Sequence, residues 1–173
     1  MKNILKLILI FIFIPALCLA WDSWNVEMLS NNDISGDYFN VKIQNDIAYF
    51  SDGWGIIIVD VSNPENPQRL REIPTEGNAR GVFIQDTLLY LCDGYKGLSV
   101  YSISDPLNPV IIGQCEDLLD TRKIDIQDGF AYVTNERGGF NIIDISDPRS
   151  PEVISYYQER VFIYTDEIKV FNN

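Results

Sequence analysis

A unit of about 42 residues recurs through this chain, and that repeat limits the fold more than any other feature. The segments VKIQNDIAYFSDGWGIIIVDVSNPENP (41–67), VFIQDTLLYLCDGYKGLSVYSISDPLNP (82–109) and IDIQDGFAYVTNERGGFNIIDISDPRSP (124–151) match landmark by landmark. Gly55, Gly97 and Gly139 are spaced by 42 and 42, as are Pro64, Pro106 and Pro148. Tyr49, Tyr90 and Tyr132 are spaced by 41 and 42, because the first copy has one residue fewer in its turn.

Each unit reads as four short strands. In the second unit they are predicted over 82–85, 88–92, 98–104 and 110–115. The runs are rich in Val, Ile, Tyr and Phe, and Gly, Asp, Asn and Pro mark the breaks between them. No long segment carries a 3.6-residue apolar period, so helices are not expected. The third strands, GIIIVDVS, GLSVYSIS and GFNIIDIS, are apolar at both parities, which predicts burial on both faces. Four-stranded units stacked face to face around an axis provide that burial. The expected fold is therefore all-β, a β-propeller of four-stranded antiparallel blades. Blades are expected at about 38–79, 80–121 and 122–159, with a partial blade over 160–173 and a lone strand over 24–30 at the N-terminal edge. These make an incomplete ring with two terminal blade faces open. The expectation is either the remainder of a longer propeller or self-association of two chains head to tail.

The first 20 residues read as a secretory signal. Lys2 and Lys6 precede the apolar run LILIFIFIPALCLA, and Cys18 and Ala20 place small residues before a cut after Ala20. The run is shorter than the roughly 20 residues of a membrane span. A lipoprotein cut before Cys18 would put Leu17 where a small residue is wanted. The propeller domain is then 21–173, with no membrane span once the signal is removed. Localisation is expected outside the cytoplasm: periplasmic, cell surface or extracellular. The signal holds two lysines and no acidic residue, so removing it takes the net charge from −12 to −14.

The chain contains no histidine, which removes Ser-His-Asp and Cys-His catalysis and histidine metal sites. So acidic a chain is a poor partner for nucleic acid. In the repeated loops, Asn63-Pro64, Asp105-Pro106 and Asp147-Pro148 are read as structural turns, since Asx side chains bond amides ahead of them and proline presets φ. Asp60 and Asp144 lie in apolar strands at repeat spacing, which favours a structural hydrogen bond over an acid–base pair. The acidic turns 52–53, 93–94 and 135–136 lack the alternating oxygen ligands of a calcium loop and suit tight turns. Arg80 and Arg122, 42 apart, precede the innermost strands and are placed near one mouth of the channel. There they would offer bidentate geometry to an anionic ligand. The alternative is ion pairing with Glu76, Glu116, Asp117 or Asp120.

The segments IIIVDVSNPENP, LSVYSISDPLNP and FNIIDISDPRSP resemble the LVIVD-repeat family, bacterial propeller repeats of exported and cell-surface proteins. The resemblance spans residue 38 to about 171, and Ser102 departs from it where the other copies have Asp60 and Asp144. It implies a propeller and an extracytoplasmic location, and no single activity.

The leading reading is an exported, non-catalytic repeat protein that acts as a binding or scaffold module for a protein or glycan partner. It has no catalytic residue, no metal site and no cofactor. The loops TEGNAR (75–80) and EDLLDTR (116–122) differ between units, and such loops on a rigid frame are where binding usually lives. The alternative is a fragment of a propeller enzyme, a hydrolase or lyase, with a carboxylate metal site. Cys92 and Cys115 fall on the second and fourth strands of one blade, about 9–10 Å apart by two strand spacings, beyond the reach of a disulfide. Thiol titration of the mature chain without reductant is therefore expected to count both thiols. A count near zero would sink the strand assignment.

Overall fold

The computed structural model describes residues 38–116, 118, 120–158 and 167–171. The predicted signal and the predicted strand over 24–30 lie outside these residues. The strands are β1 (Asn40–Gln44), β2 (Ile47–Ser51), β3 (Gly55–Asp60), β4 (Gln68–Pro74), β5 (Ala79–Gln85), β6 (Leu88–Asp93), β7 (Leu98–Ser102), β8 (Val110–Cys115), β9 (Thr121–Gln127), β10 (Phe130–Asn135), β11 (Gly139–Asp144) and β12 (Glu152–Gln158). They form three antiparallel sheets, each with its four strands in chain order. These are propeller blades, and the three described sheets make an arc that does not close into a ring. The last described segment, 167–171, is not a strand. Its Val170 amide donates to the Asp125 carboxylate (2.7 Å) instead of to a ladder.

Two interfaces join the blades. Tyr49, Ile56 and Ile58 of the first pack against Val82, Leu89, Leu91 and Tyr101 of the second. The opposite parity of the second blade, Tyr90, Leu98 and Val100, packs against Ile124, Ala131, Val133 and Ile143 of the third. Each fully buried side chain of this size contributes about 1.5–3 kcal/mol. This two-sided packing explains why β7 is buried throughout apart from its last residue, and β3 is buried likewise, with Ile56 and Ile58 against the second blade and Ile57 and Val59 in a separate cluster. β11 instead alternates buried and half-buried. Its open face continues into exposed Ile154 and Tyr157, with the Phe140 and Tyr157 rings 5.7 Å apart. The expectation of two open terminal faces holds only there. The corresponding face of the first blade is a buried cluster of Ala48, Phe50, Ile57, Val59 and Val61, with Tyr38 packed on it.

The repeated glycines have a steric role. A Cβ on Gly55 would stand 2.1 Å from the Ile73 carbonyl oxygen, one on Gly97 2.1 Å from that of Cys115, and one on Gly139 2.2 Å from that of Tyr157. In each blade the third strand can begin there only without a side chain. The fourth strand then bulges at one place, because the register shifts between Ile58 and Val59, Val100 and Tyr101, and Ile142 and Ile143.

Just past the bulge, the fourth strand meets the Asx-Pro loop of the next blade. Arg71 Nη1 donates to the Leu107 carbonyl (3.0 Å) and to Asn108 Oδ1 (2.5 Å). Gly113, 42 positions on, lies so close to the next loop that a Cβ would sit 2.2 Å from the Pro148 carbonyl oxygen. The loops thus latch neighbouring blades as well as turning the chain. Cys92 and Cys115 flank Leu98 across three strands and form no disulfide. Both are buried, so their titration requires unfolding. Gly113→Ala is expected to lower stability by about 1–3 kcal/mol through overpacking. The checking measurement is a lower denaturation midpoint at unchanged m-value.

Candidate functional site

The inner strands β1, β5 and β9 converge, and both arginines sit on them in equivalent bulges. Ala79 pairs with Asp93 and Val82 with Leu91, leaving one extra residue around Arg80. Thr121 pairs with Asn135 and Ile124 with Val133, leaving one extra residue around Arg122. The arginines therefore lie inside the inner strands, which begin earlier than the sequence suggested, and the bulges re-aim their side chains. Gly81 allows the close approach there, since its Cβ would lie 2.6 Å from the Arg122 carbonyl oxygen.

The structure brings both arginines into one charge cluster. Arg80 Nη1 lies 3.5 Å from Asp120 Oδ2, and Arg122 Nη2 lies 3.7 Å from Glu136 Oε1. Asp120 and Glu136 share a hydrogen bond. Burial, and then that bond, push the Asp120 carboxyl up from its ordinary value, against the pull of Arg80 and Arg122. The same bond, together with Arg122 and Arg80, holds Glu136 down. Arg80 also donates from Nε to Asn78 Oδ1 (3.3 Å) and stands 5.9 Å from the centroid of the Phe39 ring. Lys123 Nζ donates to the Phe39 carbonyl (3.2 Å), so all three blades meet at this point. Glu136 was seen in the sequence only as part of a turn. Its pairing with Arg122 joins residues from β9 and from the turn after β10, and no linear spacing reveals that.

Buried hydroxyls and carboxylates tie the turns at this end to the inter-blade connections. Ser51 donates to the Arg80 carbonyl. Thr121 donates to the carbonyls of Gly94 (3.1 Å) and Gly97 (2.8 Å). Asp93, 3% exposed, accepts from the Thr75 hydroxyl (2.8 Å) and from the Gly77 amide. The matching turn residues are Asp52, which caps the amides of Trp54 and Gly55 (both 2.9 Å), and Asn135, which accepts from Arg137 N (3.1 Å). Each acidic turn considered for calcium thus spends a side-chain oxygen on the backbone. Among the described residues, no group of three or more Cys, Asp or Glu gathers as a metal site.

At the opposite end lie the Asx-Pro loops. Asn63, Asp105 and Asp147 each accept an amide two residues on, from Glu65 (3.1 Å), Leu107 (3.0 Å) and Arg149 (3.0 Å), across Pro64, Pro106 and Pro148. Asp60 and Asp144 are solvent-facing strand ends rather than buried carboxylates. Each accepts from a serine amide two residues on, Ser62 at 2.8 Å and Ser146 at 2.9 Å, and each is held below the usual range by that serine's hydroxyl and amide. Ser102, at the same repeat position, instead shares a hydroxyl hydrogen bond with Ser104 (3.2 Å).

The family model described as LVIVD repeat matches residues 34–71, 76–117 and 120–159, one match to each blade. No curated protein matches the sequence. Among solved structures, the chain is similar to the N-terminal domain of Nup159, with 11% identity and a TM-score of 0.45 over 71% of this chain and 31% of that one. It is similar to the same extent, with the same identity, coverage and TM-score, to an S. cerevisiae complex of Dbp5 bound to Nup159, Gle1, IP6 and ADP. The chain thus spans about a third of the length of these solved structures.

Burial is the first cause raising the Asp93 carboxyl, with the Thr75 and Gly77 hydrogen bonds opposing it. A carboxyl whose folded pKa is raised holds its proton more firmly when folded. Its stabilising share is present below the ordinary value of 3.8 and is lost as pH rises through the folded value. Asp93→Asn, which copies Asn135, is therefore expected to gain stability over the parent as pH rises from about 4 to 7. Paired denaturation curves at the two pH values check this, and a constant difference between them would refute it.

Proposed function

The chain belongs to the LVIVD-repeat family, and from that premise we propose that it is an exported, non-catalytic β-propeller repeat protein that acts as a binding module at the cell surface or in the periplasm. The observation that carries this reading is a division between the two ends of the blades. One end repeats the same Asx-Pro loop three times and uses it to latch neighbouring blades. The other end holds the connections 75–78 and 116–120, which differ in length and sequence, and the turns after β2, β6 and β10. Repetition serves the frame, and variation is confined to one surface. Such a division suits a rigid scaffold that presents loops to a partner.

The ionic groups at the variable end also favour binding over chemistry. Asp120 and Glu136 face Arg80 and Arg122, so the carboxylate charge is met by guanidinium groups of the same chain. A hydrolytic carboxylate metal site would need those oxygens turned toward an ion. The amino-terminal lysines and apolar run, and the family's association with exported proteins, support the extracytoplasmic placement.

Cell fractionation with intact-mass measurement tests the export. The expected product is a chain beginning at Trp21, found outside the cytoplasm, in which Lys2 and Lys6 have been lost. A chain of unprocessed mass retained in the cytoplasm would overturn the placement.

A further inference from the structure

The three turns at the variable end display three particular side chains at one matched position. The turns read Asp52-Gly53-Trp54-Gly55, Asp93-Gly94-Tyr95-Lys96-Gly97 and Asn135-Glu136-Arg137-Gly138-Gly139, and the third residues are Trp54, Tyr95 and Arg137. Trp54 is 79% exposed and Tyr95 64%, and Arg137 is exposed as well. A tryptophan left this open adds little to a fold, because its apolar area stays in water. Tryptophan, tyrosine and arginine are also the types that dominate binding energy at protein interfaces.

The connections between blades link these tips into one ridge. Thr75 N donates to the Trp54 carbonyl (2.9 Å), and the Tyr95 hydroxyl donates to the carbonyl of neighbouring Glu76. Thr121 N donates to the Gly94 carbonyl (3.0 Å), and Glu136 N donates to that of Asp120 (2.9 Å). Each tip is therefore held on a rigid turn, so little ordering entropy remains to be lost when a partner covers it.

We propose that this ridge, with Trp54, Tyr95 and Arg137 as anchors, is a docking surface for a folded protein. The partner chemistry is an apolar recess for each ring and a carboxylate opposite the Arg137 guanidinium. The inference rests on the binding-module reading and assigns it a surface. A protein fits better than a glycan because the polar groups beside the rings are already engaged within the chain. The Glu76 carboxylate holds Lys96 (2.8 Å), Asp52 caps the turn amides, and Asn78 Oδ1 accepts from Arg80. A sugar needs such groups turned toward its hydroxyls. What this ridge offers outward is ring faces and a guanidinium.

Position-specific photo-crosslinking tests the assignment. The full-length gene is expressed in the producing cells with p-benzoylphenylalanine in place of Trp54, of Tyr95, or of Leu107, which is 45% exposed on an Asx-Pro loop at the opposite end. The expected result is one protein adduct common to the first two positions and absent from the third. Its yield should fall at least tenfold on adding Arg137→Glu, with an unchanged unfolding midpoint. Binding of the identified partner to purified protein should weaken about 30-fold with Trp54→Ala, as for an interface anchor. Adducts from position 107 alone would overturn the ridge while leaving a binding module elsewhere on the frame. Adducts from none of the three positions would remove both readings. A Trp54-dependent signal on a glycan array, with no protein adduct at the tips, would also overturn the proposal in favour of a sugar.

Discussion

Ile56 and Ile58 of the first blade lie against Val82, Leu89 and Leu91 of the second, and Leu98 and Val100 of the second lie against the third. A four-stranded blade is apolar on both faces and too thin to bury either one itself, so each blade exists as part of a stack. The rest of the structure follows from keeping that stack in register. The bulge in every fourth strand falls opposite the same pair of third-strand positions. It brings Arg71 and Gly113 to the Asx-Pro loop of the following blade. A blade displaced by one residue would lose this latch together with its apolar contacts, because the side-chain period of a strand is two.

The latching end and the tip end are thus specialised by different physics. At the first, Asn63, Asp105 and Asp147 and the three prolines make turns that are nearly invariant in geometry. At the second, the polar groups that hold the frame are buried, among them Ser51, Asp93, Thr121 and Asn135. They point inward to backbone groups, and the side chains above them are free to vary. Trp54, Tyr95 and Arg137 differ in type while occupying the same exposed place, and Tyr95 also ties to the frame through its hydroxyl on the Glu76 carbonyl.

The fold was legible because its signal is repetition, and repetition survives without any knowledge of contacts. The 42-residue spacing of glycines and prolines located the turns, and the two-parity apolar runs of β3 and β7 indicated burial on both faces. The third copy carried the same pattern with a different result: β11 alternates, since burial there depends on what lies across the interface. Asp60 and Asp144 take the structural hydrogen-bond role that their repeat spacing favoured, each at the strand end where the chain turns toward solvent. The charge cluster was only half visible. Arg80 and Arg122 stood out by spacing, while the shared hydrogen bond between Asp120 and Glu136 joins a connection to a turn. The anchor tips were present in the sequence as turn residues. Only their exposure marks them as more than that.

The balance of charge bears on what the ridge can recognise. The chain carries a formal charge of −12, which at long range repels other acidic molecules. At physiological ionic strength, charges beyond about 8 Å are largely screened, so a docked partner responds to the local pattern and hardly to the total. Locally, the tip end pairs Arg80 with Asp120, Lys96 with Glu76 and Arg122 with Glu136 across short distances. Arg137 is exposed beside these pairs. Electrostatics there can orient a partner through one guanidinium, and the two aromatic rings supply the buried area that holds it.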